Sequence, residues 1–212
     1  MDAAVFQAWI VTAAEVIEAN RDHLTQLDAA IGDADHGINL ARGFTAVLGA
    51  LDAAPAGPRT PGAILTLTGN TLISKVGGAS GPLYGMAFRR AGKSLGDAAE
   101  VDLPALSAAL DAALAGVQQL GAAREGDKTM VDALAAATRA FGKAIAEGAA
   151  ESKALDALTE AAQAGAEATI AMQALKGRAS YLGPRSVGHE DPGAVSTALI
   201  LGALRDAARA GR

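Results

Sequence analysis

The sequence contains no cysteine among its 212 residues, which excludes a disulfide scaffold, a thiolate metal site and a cysteine nucleophile. Aromatic residues are also scarce, at 3% of the chain, so the core must be built from Ala, Leu, Val and Ile. Such a core favours closely approached helices over sheets, which draw on aromatic and β-branched residues. Hydrophobic residues make up 50% and charged ones 19%, and this balance excludes an intrinsically disordered chain.

Basic runs and long apolar runs are missing as well. The net charge is −5, and no basic stretch could neutralise several phosphates of a duplex, so we expect no nucleic-acid partner. The apolar run Ala198–Leu204 is far shorter than the roughly 20 residues that span a bilayer. The N-terminus lacks a positive segment, and Glu15 interrupts its apolar stretch, unlike a signal peptide. We therefore expect a cytoplasmic protein with no membrane partner.

Apolar residues recur at steps of three and four, the spacing of amphipathic helices. Ile64–Thr68 alternates like a strand, but Leu72 and Val76 continue it with helical spacing, so we predict a helix there too. Thr60 and Pro61 end the Pro-rich connection 55–61 as the predicted N-cap and first helical residue. We predict an all-α bundle in which residues 1–212 form a single domain. The apolar stripes cover residues 5–17, 103–120, 130–145, 155–175 and 195–207.

Four connections are rich in polar residues: 28–37, 77–82, 121–130 and 176–193. Helices in up-and-down order place alternate connections at the same end of a bundle. We therefore expect these four segments to converge on one site.

The first segment carries three carboxylates, Asp28, Asp33 and Asp35, followed by His36 and Asn39. Carboxylates this close repel one another unless a cation lies between them, and oxygen ligands suit Mg²⁺ or Ca²⁺. An EF-hand counted from Asp33 would need Glu at its twelfth position, where this chain has Phe44 instead. The alternative is that these aspartates only cap helices and turns.

The second segment is a glycine run, 77–81, ahead of a helix predicted to begin near Leu83. Backbone N–H groups at such a helix start favour phosphate, although a flexible cap is the simpler alternative. The spacing is not that of a Walker A motif, and the Gly-Lys-Ser sequence at 92–94 lacks the upstream glycine and falls inside a helix. In the third segment Asp127 and Thr129 could be caps, or Thr129 could donate to phosphate.

The fourth segment is too long for an ordinary connection and holds Arg178 and Arg185, which suit anionic oxygens. Asp191 precedes Pro192 as an N-cap would. His189 lacks the second histidine of a zinc-protease helix. A bundle that holds Mg²⁺ on one segment and phosphates on the others is suited to phosphoryl transfer.

Taken in order, these motifs resemble the nucleotide-binding L subunit of dihydroxyacetone kinases. The resemblance covers the whole chain. It rests on four stretches: Asp28-x₄-Asp33-x-Asp35-His36-Gly37-x-Asn39, the Gly-Gly-Ala-Ser-Gly-Pro-Leu-Tyr-Gly run at 77–85, the Gly-Asp-Lys-Thr-Met-x-Asp-Ala-Leu run at 126–134, and Gly-Arg-Ala-Ser-Tyr-Leu-Gly at 177–183 with Gly-His-x-Asp-Pro-Gly-Ala at 188–194.

The resemblance implies an up-and-down barrel of about eight amphipathic antiparallel helices, with ADP or ATP and two Mg²⁺ at one end. It implies that Asp28, Asp33 and Asp35 ligate the metal ions. No catalytic residue is implied, because the family holds dihydroxyacetone on a histidine of a separate K subunit. The residues implied to surround the nucleotide are His36, Gly37, Ile38, Asn39, Ala79, Ser80, Gly121, Thr129, Met130, Arg178, Asp191, Pro192 and Gly193.

Two activities are compatible with the resemblance. In one, the subunit keeps ADP bound, and a phosphohistidine-carrying M-type subunit of the phosphoenolpyruvate phosphotransferase system recharges this ADP to ATP. A chain of this length resembles that branch, which would make it part of a phosphoenolpyruvate-dependent dihydroxyacetone phosphotransferase of the glycerone kinase type. The alternative is an ATP-dependent kinase subunit for dihydroxyacetone or a related small keto-sugar. A nucleotide-sensing module without catalysis would not need three acidic ligands, and a purely structural bundle would not explain four polar segments.

Overall fold

A computed structural model describes residues 1–53 and 60–211, and within these ranges the chain is helical, with no β-strand. The prediction of an all-α fold is confirmed. Two short 3-10 segments, Thr169–Ala171 and Arg178–Ser186, interrupt the connection before the last helix. The α-helices are α1 (Ala3–Ala19), α2 (Arg21–Ile31), α3 (His36–Ala53), α4 (Pro61–Lys75), α5 (Ser80–Leu95), α6 (Leu103–Gly121), α7 (Met130–Ala146), α8 (Glu151–Ala168) and α9 (Pro192–Ala210).

Local signals explain where several helices begin. The side chains of Asp2, Thr60, Asp102 and Asp191 each accept a hydrogen bond from a backbone N–H in the first turn of α1, α4, α6 and α9. Pro61 occupies the start of α4, as predicted, while residues 54–59 of the preceding connection lie outside the described residues. These caps satisfy backbone donors that the helices themselves leave unpaired.

The helices form a closed ring in chain order. From α3 to α9 each helix packs against the next, α9 packs against α1, and α1 packs against α3. Helix α2 lies outside this ring of eight, at one end, against α3 and α9. The predicted up-and-down barrel is therefore present, and the connections before α3, α5, α7 and α9 share the end where α2 lies.

The main apolar core fills the barrel and draws on all the helices of the ring. Its few aromatic residues are in contact: Trp9 stacks edge-on to Phe6 and tilts against Phe88, which meets Phe44. The Trp9 indole N–H donates to the carbonyl of Ile200 at 2.8 Å, joining α1 to α9. Burying side chains of this size contributes about 1.5–3 kcal/mol each.

Helices α4 and α5 approach each other through glycines. A Cβ on Gly62 would lie 2.2 Å from a carbonyl oxygen of Gly96, and one on Gly92 would lie 2.6 Å from the carbonyl oxygen of Gly62. Two turns further along α4, a Cβ on Gly69 would lie 2.6 Å from the carbonyl oxygen of Gly85. The close approach therefore requires glycine on both helices.

Three helix boundaries differ from expectation. Asp28 lies in the last turn of α2 rather than in a loop, because Leu24, Asp28 and Ile31 share the buried face of this short helix. Helix α5 begins at Ser80, before the predicted start near Leu83. The helix predicted to extend to Leu175 ends at Ala168 instead, and Leu175 is exposed in the connection that follows. In residues 1–53 and 60–211, no helix has the length and hydropathy needed to cross a membrane.

Candidate nucleotide site

A cavity of about 280 Å³ opens at the end of the barrel where the four polar segments meet. All four contribute to its wall, as the up-and-down order predicts. Helices α3, α5, α7 and α9 also begin there, so their N-terminal backbone dipoles face the cavity and favour an anionic ligand. The lining residues are Asp28, Ile31, Gly32, Asp33, Asp35, His36, Gly78, Ala79, Ser80, Leu83, Tyr84, Lys128, Thr129, Met130, Lys176, Gly177, Arg178, Ala179, Asp191, Pro192 and Gly193.

The three aspartates meet on one side of this cavity. One carboxylate oxygen from each of Asp28, Asp33 and Asp35 lies within 4.8 Å of the other two. Asp28 is buried, Asp35 half-buried and Asp33 exposed, so the cluster opens from the protein wall into the cavity. A set of three carboxylate oxygens is the donor type that Mg²⁺ prefers.

Backbone contacts fix Asp28 in this cluster. Its Oδ2 accepts from the backbone N–H groups of Asp35 and His36 at 2.8 and 3.1 Å, which ties α2 to the start of α3. Its Oδ1 lies so close to Gly32 that a Cβ there would be 1.9 Å away. The absence of a side chain at position 32 therefore leaves room for this carboxylate.

His36 faces the neighbouring helices with both ring nitrogens. Its Nδ1 lies 3.0 Å from the Ser80 hydroxyl on α5, and its Nε2 lies 2.8 Å from the Ser196 hydroxyl on α9. Burial lowers the pKa of the imidazole, although Asp28 and Asp35 oppose this shift. The ring thus joins α3, α5 and α9 at the cavity wall.

Thr129 and Met130 form the wall on the α7 side. Thr129 is the N-cap of α7: its hydroxyl accepts from the N–H of Val131, and its own N–H donates to Asp132 at 2.7 Å. The Thr129 hydroxyl proton is not used by this cap and can serve a ligand. Met130 is buried and presents an apolar surface.

Cationic residues also line the cavity. The Nε of Arg178 is 3.1 Å from Oδ2 of Asp33, so these two lining residues form an ion pair. Both side chains are substantially exposed, so the pair adds little to stability. Lys176 lines the same wall.

Lys128 is the buried cation of the site, with an exposed fraction of 1%. Its ammonium donates to the carbonyls of Thr169 and His189, which flank the segment that carries Arg178. Burial lowers the pKa of Lys128, and nearby Asp191 and Asp132 counteract this effect. Lys128 thus holds both ends of the 169–189 segment against the start of α7.

Asp191 caps α9 through Oδ2, which accepts from the Ala194 N–H at 2.8 Å. Its backbone N–H donates to the Thr169 hydroxyl. Burial raises the pKa of Asp191 to about 7, against the opposing effects of the Ala194 hydrogen bond and of Lys128. A carboxyl group that titrates near neutrality thus lies at the start of α9.

Over residues 30–206 the sequence matches the DAK2 domain. The chain belongs to the DAK2 domain family. Its relatives include the ADP-binding subunit DhaL of the PEP-dependent dihydroxyacetone kinase of Escherichia coli, 40% identical over 201 residues that cover 95% of each chain. A DhaL subunit of Listeria innocua is 38% identical and covered to 92% in both chains. The resemblance to the L subunit is thereby confirmed.

Longer proteins match this chain over part of their length. The triokinase/FMN cyclase of Bos taurus is 40% identical over 92% of this chain, which spans about a third of that protein. The crystal structure of the dihydroxyacetone kinase from C. freundii in complex with AMP-PNP and Mg²⁺ superposes with a TM-score of 0.72 and 30% identity. That match covers 97% of this chain and 34% of the C. freundii chain.

Not every predicted nucleotide contact lines the cavity of this DAK2 domain. Gly37 packs against α2, where a Cβ would lie 2.0 Å from the Arg21 carbonyl oxygen. Ile38 is exposed on α3. Asn39 accepts from Arg42 at 2.8 Å, and Gly121 ends α6 behind Leu83. Their contacts with a nucleotide stay predictions, as do those of the lining residues Ala79, Ser80, Thr129, Met130, Arg178, Asp191, Pro192 and Gly193.

Sequence reasoning did not single out several side chains at or beside this site, among them the polar residues Lys128, Lys176, Tyr84 and Ser196. Lys128 directly precedes Thr129 at the start of α7. The feature that distinguishes this lysine is its positive backbone φ (61°), which only the structure reveals. Tyr84 is buried, and its hydroxyl donates to the Gly193 carbonyl at 2.9 Å. Ser196 follows the cap of α9 by one turn, and its position beside His36 depends on packing between helices far apart in sequence.

Proposed function

We propose that this chain is the nucleotide-carrying subunit of a phosphoenolpyruvate-dependent dihydroxyacetone phosphotransferase. In this function it holds ADP and two Mg²⁺ and relays a phosphoryl group from a phosphohistidine donor protein to dihydroxyacetone on a separate K subunit. The observation that carries the proposal is the convergence of three carboxylate oxygens within 4.8 Å at a cavity faced by four helix N-termini. The DhaL relatives, matched over nearly their full length, support it.

The residues present fit the implied metal. Asp28, Asp33 and Asp35 would hold Mg²⁺, and Gly32 leaves the space that the Asp28 carboxylate needs. Bound Mg²⁺ would neutralise phosphate charge during transfer. Without a cation, these three charges would repel one another.

The other residues of the chain bind and orient. N–H groups at the starts of α5 and α9 favour phosphate oxygens, and Arg178 supplies a cation that can donate hydrogen bonds to two oxygens of an anion. Met130 offers an apolar surface for a base. We assign no general base or nucleophile to this chain, because the sugar would be held by the K subunit.

Exposed apolar side chains support the approach of a partner at this end. Ile38, Leu120, Leu175 and Tyr181 lie on elements around the cavity mouth, and Tyr181 is 87% exposed. A partner that covers the mouth would bury these side chains and exclude water from the transferred group. The K subunit and the M-type donor would use this end in turn.

The alternative is an ATP-dependent kinase subunit for dihydroxyacetone or a related keto-sugar. The observation that favours it is the 40% identity to the triokinase/FMN cyclase of Bos taurus, which equals the identity to the E. coli DhaL subunit. In both functions residues 1–212 would act as one nucleotide-binding domain in the cytoplasm.

One experiment separates the two functions. The purified protein is denatured, the released nucleotide is identified by chromatography, and a parallel sample is tested for exchange with labelled ATP. Near-stoichiometric ADP that exchanges slowly supports a bound coenzyme recharged by a phosphoprotein. An empty or rapidly exchanging site would favour ATP as a substrate. Absence of Mg²⁺-dependent binding of either nucleotide would refute both.

A further inference from the structure

The connection between α8 and α9 has few hydrogen bonds to the rest of the barrel. It contains only two short 3-10 segments, and its buried apolar residues, Ala174 and Ala179, belong to a small cluster apart from the main core. Within residues 1–53 and 60–211, the hydrogen bonds of residues 169–189 run inside the connection or to the adjoining helices, except for three that reach the start of α7.

These three hydrogen bonds come from Asp127 and Lys128, just before α7. The Asp127 carbonyl accepts from the Leu175 N–H at 3.1 Å. The Lys128 ammonium donates to the carbonyls of Thr169 and His189, which lie at the two ends of the connection. A single side chain therefore holds both ends of the connection against α7.

Lys128 makes this contact in spite of two unfavourable features. Its φ of 61° lies in the left-handed region, which is costly for a residue other than glycine. Its ammonium is also removed from water, since the residue is only 1% exposed. Such features persist where surrounding contacts compensate for them, and they are common at functional sites. Here the compensating contacts are the carbonyls of Thr169 and His189.

The connection carries part of the cavity wall. Residues 176–179 line the cavity, and Nε of Arg178 lies 3.1 Å from Oδ2 of Asp33. This ion pair is exposed, so it is too weak to fix the connection by itself. Arg178 lies beside the candidate metal ligands, where its guanidinium can donate to a phosphate bound in the cavity. The position of the connection therefore decides whether Arg178 reaches that phosphate.

We propose that Lys128 is a positioning residue for nucleotide binding: it holds residues 169–189 against α7 and thereby keeps Arg178 in place to donate to a nucleotide phosphate. Lys128 acts through Arg178 rather than by its own contact with phosphate, since it is buried and two of its three N–H groups donate to carbonyls. This inference rests on the proposed function, because it requires a nucleotide phosphate in the cavity.

Hydrogen exchange tests whether Lys128 holds the connection. In the full-length protein without ligand, the Leu175 and Gly188 amides are hydrogen-bonded to carbonyls, so their exchange rates report opening of the connection. We expect both amides to exchange about ten- to a hundredfold faster in Lys128→Met, because two charged hydrogen bonds are lost. Lys143→Met removes an exposed lysine of α7 and is the matched control, with unchanged rates. Unchanged rates in Lys128→Met would overturn the inference.

Binding measurements test whether Lys128 acts through Arg178. ADP affinity is measured calorimetrically in the presence of Mg²⁺, under conditions where circular dichroism shows each variant to be folded. Lys128→Met and Arg178→Gln should each weaken ADP binding about ten- to a hundredfold, the value of one hydrogen bond to a charged group. The double variant should bind ADP no more weakly than the weaker-binding single variant. Lys143→Met should bind ADP like the unmodified protein.

The other outcomes contradict the inference in different ways. Losses that multiply in the double variant would mean that Lys128 acts independently of Arg178, for example by contacting phosphate itself. A role limited to stability would leave the ADP affinity of folded Lys128→Met unchanged. If that variant does not fold, Lys128→Gln takes its place, since its shorter side chain cannot reach both carbonyls. If the unmodified protein binds no ADP, the proposed function fails and this inference with it. If it binds ADP and Lys128→Met binds it equally well, only this inference fails.

Discussion

Gly32→Ala would place a Cβ atom 1.9 Å from Oδ1 and 2.9 Å from Cγ of Asp28. The carboxylate must then move by about 1 Å or more, because nonbonded carbon and oxygen atoms rarely approach within 3 Å. That movement disrupts the two hydrogen bonds that Asp28 accepts from the N–H groups of Asp35 and His36. We therefore expect the substitution to affect both folding stability and metal binding.

The magnitude follows from those two bonds. Each hydrogen bond to a charged acceptor contributes about 1.5–3 kcal/mol, and water in the open cavity would replace part of this. We expect Gly32→Ala to lower the free energy of unfolding by about 2–4 kcal/mol. For a chain of this length that corresponds to a decrease in Tm of roughly 4–16 °C. Mg²⁺-dependent ADP binding should weaken as well, because Asp28 no longer lies beside Asp33 and Asp35.

The assays are thermal unfolding and calorimetric titration with ADP in the presence and absence of Mg²⁺. Gly49→Ala is the matched control: it lies in α3, and a Cβ there meets nothing within 4 Å, so it should be neutral or slightly stabilising. In an Asp28→Ala background, Gly32→Ala should cost much less, because the two side-chain atoms closest to the new Cβ are gone. An equal loss of stability with and without the Asp28 side chain would refute the reasoning.

The remaining predictions concern the charged residues around the cavity. Asp33→Ala should abolish Mg²⁺-dependent phosphoryl transfer and weaken ADP retention, while thermal unfolding without ligand changes by less than about 1 kcal/mol, since its ion pair is exposed. Lys128→Met should lower the free energy of unfolding by about 1–3 kcal/mol, measured by urea denaturation, because it leaves the Thr169 and His189 carbonyls without their buried donor. Asp191→Asn should become more stable relative to the unmodified protein as the pH rises from 5 to 8, measured by urea denaturation at each pH. The folded pKa of about 7 lies above the unfolded value, so ionisation of Asp191 costs stability through this window.

Each of these predictions has an outcome that contradicts it. Unchanged Mg²⁺ dependence in Asp33→Ala would remove this residue from the metal site. Unfolding of Lys128→Met at the same urea concentration as the unmodified protein would mean that the buried ammonium contributes nothing net. A stability difference between Asp191→Asn and the unmodified protein that does not vary with pH would mean that this carboxyl group does not titrate in the window.

The site could be predicted in outline because each polar segment is informative by itself. Three aspartates within eight residues point to a cation, and a glycine run before a helix points to phosphate. Helical spacing in up-and-down order then places both at one end of the barrel. The helical interpretation of Ile64–Thr68 was right for a similar reason, since Leu72 and Val76 extended its pattern beyond the length of a strand.

Other features depend on partners distant in sequence. The burial of Lys128 requires the carbonyls of Thr169 and His189, and nothing near position 128 indicates them. Glycines permit the close approach of α4 and α5. In the sequence alone they indicate only a weakened helix, because their role depends on the facing helix. The boundary of α8 was wrong because apolar spacing continued past Ala168, where the chain leaves the helix to form the connection that carries Arg178.

The closure of the ring by α9 has a consequence for how the protein is made. Helices α3 to α8 each pack on a neighbour already synthesised, whereas α1 must wait for α9 to complete its contacts. The start of α9 also supplies Asp191 and Gly193 to the cavity. During translation, therefore, a nascent chain can form most of its helix pairs early but has no complete binding site until α9 has left the ribosome. Occupation of the site would then report that synthesis of the barrel is finished, and nucleotide supplied to a ribosome-bound chain truncated before α9 should not be retained.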